Sequence, residues 1–165
     1  MSDVEISEIE DYLSPFFDFL NSNLAVLMSN MDDALAFEVV LGSWNRFVSD
    51  AEALIVPQLI DDQKERKQWD ERRFQFFLKL VEIAFDFFLG DGQGLSKTML
   101  RTKSFVDLES IISNYFSSKE DLINLYLTIK GDPVDSFWIL KLVKMKGGKD
   151  FVDDALKRRC FSRVD

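Results

Sequence analysis

The stretch from Phe74 to Leu100, FQFFLKLVEIAFDFFLGDGQGLSKTML, restricts the fold more than any other part of the chain. Its first half is apolar except at Gln75, Lys79, Glu82 and Asp86, which recur at steps of four, three and four. That spacing gives one narrow polar stripe on a helix. Phe74, Phe77, Leu78, Val81, Phe85, Phe88 and Leu89 then need cover from neighbours, which predicts a helix in the middle of a bundle. On this reading Phe85→Ala should cost about 3–5 kcal/mol. Gly90, Gly92 and Gly94 end the helix within five residues, as glycines able to take positive φ do at helix stops.

The remaining sequence agrees with an all-α chain. It has 165 residues, 47% of them apolar, with 16 Phe but only 7 Gly and 3 Pro. An apolar set from Leu13 through Phe16, Phe17, Leu20, Leu24, Leu27 and Met28 to Met31 steps by three and four. Either a helix starts at Ser14-Pro15 or, the reading preferred, a longer helix kinks there. Asp32 and Asp33 mark the start of a second helix, whose inner face reads Phe37, Val40, Leu41, Trp44, Phe47, Val48, Ala51, Leu54 and Ile55, with Pro57 as its end. QLIDDQKERKQWDERR is a charged connector whose second half is a candidate extension of the central helix. Beyond the glycine turn, a short helix is expected near Leu95–Arg101. Ser104 with Asp107, Ser118 with Asp121, and Asp132-Pro133 announce three more, with stops at Gly131 and Gly147-Gly148. A last short amphipathic segment, Phe151 to Leu156, leads into a tail expected to fray. Short connections favour antiparallel neighbours. The expected architecture is an up-and-down bundle of about five to seven helices without internal repeat, with a main body over 1–131 and extra C-terminal helices over 132–165.

Composition removes most chemistry. There is no His, and Cys160 is the lone cysteine, so Cys/His and Ser/His catalysis and Cys/His zinc sites are excluded. Only carboxylate chemistry is left to an enzyme. The pairs Asp32/Asp33, Asp61/Asp62 and Asp153/Asp154 read better as caps and solvated faces, since adjacent side chains diverge on a helix. GDGQGL lacks the preceding strand and the Lys-Ser/Thr ending of a phosphate loop. Its Gly90, Gly92 and Gly94 are expected to form a structural turn. The expectation is therefore a non-enzymatic protein with no cofactor and no metal.

Charge is distributed unevenly. Residues 1–62 hold 13 acidic side chains against Arg46 alone, a net of −12, while the rest of the chain carries +3. Solvated helix faces account for this. The functional alternative is an acidic end facing a basic partner and a basic tail, Lys157, Arg158, Arg159 and Arg163, close to a membrane or another domain. The overall −9 disfavours nucleic acid. Phe137, Trp138, Ile139 and Leu140 are consecutive, so they either pack inside a multilayered bundle or mark a protein-docking surface. No run is long and uncharged enough to span a bilayer, and the acidic start MSDVEISEIED lacks a signal peptide's basic region. A cytoplasmic protein is the expectation.

Two blocks resemble a known family. LSPFFDFLNSNLAVL (Leu13 to Leu27), followed by VVLGSWNRFVSDAEALIVPQL (Val39 to Leu59), is similar to a Pro-containing helix ending in Asn-Leu and then a Leu-x-x-Trp helix closing on apolar-Pro-x-Leu. FDFFLGDGQGLSKTML (Phe85 to Leu100) is similar to an aromatic helix end, a glycine turn and a Gly-Leu-x-Lys-x-x-Leu continuation. Both blocks thus resemble the second homology domain of the Munc-thirteen (uncoordinated-thirteen) exocytosis-priming family, the C-terminal part of its MUN rod. The resemblance covers roughly Leu13 to Leu127. It implies a helical segment of a vesicle-tethering rod that promotes SNARE assembly, with syntaxin-like SNAREs or companion tethers as partners. It also implies indirect, peripheral association with the plasma membrane or vesicles through neighbouring domains. The connector after Pro57 is shorter than the family's, and residues 132–165 lie beyond the resemblance. A self-contained helical scaffold without a trafficking role is the alternative.

Overall fold

The computed structural model of the protein describes residues 3–59, 67–92, 94–129 and 136–161, with the side chains of 3–8, 10, 91 and 159–161 left out. The described residues are all-helical: α1 (Asp3–Asn30), α2 (Asp33–Ile55), α3 (Glu71–Leu89), a 3-10 turn (Gly90–Gly92), α4 (Lys97–Leu100), α5 (Lys103–Asn114), α6 (Lys119–Thr128), α7 (Phe137–Met145) and α8 (Lys149–Phe161). This is an all-α bundle with eight helices where about five to seven were expected. It forms two compact units, residues 1–51 with 69–105 and residues 52–68 with 106–165. The units interleave along the chain. α2 and α5 each run from one unit into the other.

In the first unit, α1 passes through Pro15 without a break. Asp32 caps α2: its carboxylate accepts from the Leu35 amide at 2.9 Å. Along the part of α2 in this unit Ala36, Trp44, Val48 and Ala51 are buried, whereas Phe37 is exposed. Asp70, not an earlier connector residue, caps α3 by accepting from the Arg73 amide at 2.9 Å. Phe74, Phe77, Val81, Ala84 and Phe88 step by three and four down its buried face. The expectation that everything outside the polar stripe of Gln75, Lys79, Glu82 and Asp86 is covered is corrected here, because Phe76 is exposed and Phe85 only half-buried.

The core of this unit is built around Trp44, which is fully buried. Its ring lies 5.1 Å from Phe105, 5.4 Å from Phe88, 5.7 Å from Phe47 and 5.9 Å from Phe85. Its indole N–H donates to the Leu100 carbonyl at 2.9 Å, so the polar end of the side chain is satisfied at no loss of apolar packing. The glycine turn brings Leu100 there. Gly90 closes α3 in the left-handed region, φ 52°, its N–H bonding the Asp86 carbonyl. Gly94 and Leu95 then donate back to the Leu89 and Phe88 carbonyls at 3.0 and 2.8 Å. A Cβ on Gly94 would collide with the Phe88 carbonyl oxygen and sit 3.1 Å from Leu89 backbone atoms, so the return of the chain requires glycine.

The second unit is aliphatic. Ile55 and Val56, Leu108 and Ile111, Leu122, Leu142 and Val143, and Val152 are all buried, with Tyr115 as the one large ring among its fully buried side chains. α6 packs on α7 and α7 on α8. Ser118 caps α6 as expected, accepting from the Asp121 amide at 3.0 Å and donating to its carboxylate at 2.7 Å. α5 starts earlier than its Ser104 signal, with the Thr102 hydroxyl accepting from the Phe105 amide at 3.3 Å. Gly147, at φ 75°, ends α7 as expected, and the Gly148 amide returns to the Val143 carbonyl at 2.9 Å. α8 runs to Phe161 where only a turn or two was expected. The Gly131 stop and the Asp132-Pro133 start lie outside the described residues.

Candidate functional site

Phe137, Trp138, Ile139 and Leu140 open α7, and consecutive positions on a helix point in four directions. Ile139 and Leu140 are fully buried and Phe137 and Trp138 half-buried. Of the two readings of this segment, Ile139 and Leu140 follow the packed one, with α6 and α8 both packing against α7. Of the basic tail, Lys157 and Arg158 are exposed on α8. The Arg159 side chain and Arg163 lie outside the described residues.

The turn of Gly90, Gly92 and Gly94 is a structural stop. The N–H groups of Gly90, Gly94 and Leu95, which a phosphate cradle would offer to an anion, bond the carbonyls of Asp86, Leu89 and Phe88 instead. Asp32 is a helix cap, and Asp153 and Asp154 lie on α8. Asp61 and Asp62 lie outside the described residues. Among the described residues no three His, Cys, Asp or Glu side chains converge, and no helix is long and apolar enough to cross a membrane.

The polar contacts of the second unit are concentrated on one lysine-bearing face of α7. Lys141 pairs with Glu52, both side chains being largely covered. Lys144 donates to the carbonyls of Gln58 and Leu59 at 2.8 and 2.9 Å. Just past the helix, Lys146 reaches the Gln68 side-chain oxygen at 3.0 Å, and Gln68 in turn donates to the Tyr115 carbonyl at 3.4 Å. Burial pushes the Lys146 ammonium below its ordinary pKa. These groups tie the end of α2 and the connector residues Gln58, Leu59 and Gln68 to α7 and the residue just past it. Their job is structural.

Exposed apolar side chains occur on several elements, Phe76, Phe116 and Leu127 among them, and α1 carries a run of them at helical spacing. Tyr12 (79% exposed), Phe16 (53%), Phe19 (65%) and Val26 (63%) follow one another at steps of four, three and seven, with Asn23 completing the pattern. Phe16, Leu27 and Met28, all expected in the core, are exposed as well. On the inner side Phe17 is buried, its ring 5.1 Å from Phe87 of α3, and Leu13, Leu20 and Leu24 are half-buried. Helix α1 therefore has two apolar seams and covers one. Reading only the inner seam from the sequence missed Tyr12, Phe19 and Val26. The signal was present in Asp-Tyr-Leu at 11–13, Asp-Phe-Leu at 18–20 and Ala-Val-Leu at 25–27, three similar triplets spaced by seven.

No family model matches the chain, and no solved structure matches it. Over 51 residues the chain is 39% identical to a protein of Saccharomyces cerevisiae described only as uncharacterized. That stretch is 31% of this chain and 4% of the yeast protein.

Proposed function

We propose that this chain is a non-enzymatic helical module of a vesicle-tethering and priming factor, acting in exocytosis and SNARE assembly through protein–protein contacts. The two blocks resembling the Munc-thirteen homology domain carry the reading, and one observation supports treating them as a unit. Trp44, the tryptophan of the first block, donates to the carbonyl of Leu100, the last residue of the second, and rings of both blocks surround it. The two blocks that carry the resemblance thus share one core. The partners on this reading are syntaxin-like SNAREs or companion tethers, at a vesicle or plasma-membrane surface reached through other domains.

A reconstituted assay tests it. Liposomes bearing the SNAREs of the two membranes should dock, and their SNAREs assemble, faster with the protein than without it. The Trp44→Ala variant, with its core broken, should lose that acceleration. Equal rates with and without the protein would reject the trafficking reading and leave a helical scaffold.

A further inference from the structure

We infer that the outer seam of α1 is a docking site for a basic amphipathic helix of a partner protein. This does not depend on the trafficking reading. Two independent features specify the occupant, its shape and its charge.

The shape comes from the period. Tyr12, Phe19 and Val26 are seven residues apart, and Phe16, Asn23 and Asn30 follow each of them by four. A seam of period three-and-four on a straight helix is matched by the side chains of another helix, knobs of one entering holes of the other. Extended chain repeats every two residues and meets such a seam only once per turn. Asn23 and Asn30 donate through Nδ2 to the Phe19 and Val26 carbonyls of their own helix at 2.7 Å. They are the polar positions by which such a seam sets register.

The charge comes from what α1 lacks. The helix carries six acidic residues, Asp3, Glu5, Glu8, Glu10, Asp11 and Asp18, and no Lys or Arg. Asp11 and Asp18 are exposed and directly precede Tyr12 and Phe19, so each lies about 100° round the helix from the seam, along its flank. A second copy of α1 would set carboxylates against carboxylates, which disfavours self-pairing. A helix with Leu or Phe on its seam and Lys or Arg beside it meets both requirements, as in helix-in-groove recognition.

The probe is a synthetic helical peptide of about three heptads with Leu at the seam and Lys at the flanks. Its twin carries Glu in place of every Lys. Fluorescence anisotropy against the full chain should show binding of the Lys peptide alone, weakening as salt rises from about 50 to about 500 mM. Replacing Tyr12 and Phe19 together by Ser should weaken it about tenfold or more. Replacing Asp11 and Asp18 by Asn, which leaves the apolar surface intact, should weaken it about threefold. Circular dichroism of each variant establishes that the helices are retained. Equal affinity for the two peptides, or full affinity in both variants, would overturn the proposal. So would sedimentation showing a dimer of the protein that the Ser substitutions dissociate, or seam-dependent binding to phosphatidylcholine vesicles in place of the Lys peptide.

Discussion

Around Trp44 the first unit packs rings against rings, whereas around α7 the second packs branched aliphatic side chains and fastens its margin with lysines. The difference extends to the surfaces. The first unit exposes a spaced run of aromatic side chains along one long helix, while the second exposes single residues such as Phe116 and Leu127 and buries the four consecutive apolar residues that open α7 wholly or in part. A core centred on one large indole is sensitive at one point. A core of many Leu, Ile and Val side chains distributes the same burial over several positions, so single truncations there are partly absorbed.

The sharpest way to break this comparison is Trp44→Ala. It removes the ring at the centre of four aromatic contacts and the donor to Leu100, and should cost about 5 kcal/mol in urea unfolding. Gly94→Ala should follow at about 3 kcal/mol, because the added Cβ meets the backbone at the end of α3, which cannot retreat without opening the turn. Phe85→Ala should cost about 2 kcal/mol, since that ring is only half-buried between Trp44 and Phe105. If Phe85→Ala proves as damaging as Trp44→Ala, the core is a general aromatic cluster and not one organised by its indole.

The ranking of Phe85 below Trp44 shows where the sequence was legible. Caps and stops depend on local backbone geometry, and Asp32, Ser118, Gly90 and Gly147 all act at the ends where their residue types signal them. Helical periods were equally readable. Which side of an apolar helix is covered is a tertiary matter, because it depends on the number of neighbours. Thus α3 read as covered everywhere outside its polar stripe, and Phe16 and Met28 of α1 read as core. The pairing of Trp44 with a carbonyl 56 positions away has no local signal. Nor have the contacts of Lys141 and Lys144 with Glu52 and with the start of the connector, since in sequence these lysines look like ordinary surface charge.

That lysine face yields the next prediction. Lys141→Met leaves Glu52 largely covered and without its cation, and should cost about 1–2 kcal/mol. Adding Glu52→Leu should restore most of the loss, since an apolar pair of similar volume avoids the desolvation of two charges. The second unit would then hold its margin by packing as well as by ion pairing. Failure of the double change to recover would mean that the bond geometry itself positions the end of α2.

The smallest effect is expected where the first unit looks least finished. Replacing Tyr12 and Phe19 together by Ser should change unfolding free energy by less than about 0.5 kcal/mol, as exposed positions away from caps and ion pairs do. The same change at the inner seam, at Phe17, should cost about 3 kcal/mol or more, because that side chain is buried against α3. The two seams belong to one helix and share its propensity, length and Pro15, so the contrast isolates tertiary cover as the only variable. A large loss at Tyr12 and Phe19 would mean that the outer seam already supports the fold. A negligible one leaves two large aromatic side chains that folding does not use, which is the condition a binding surface has to meet.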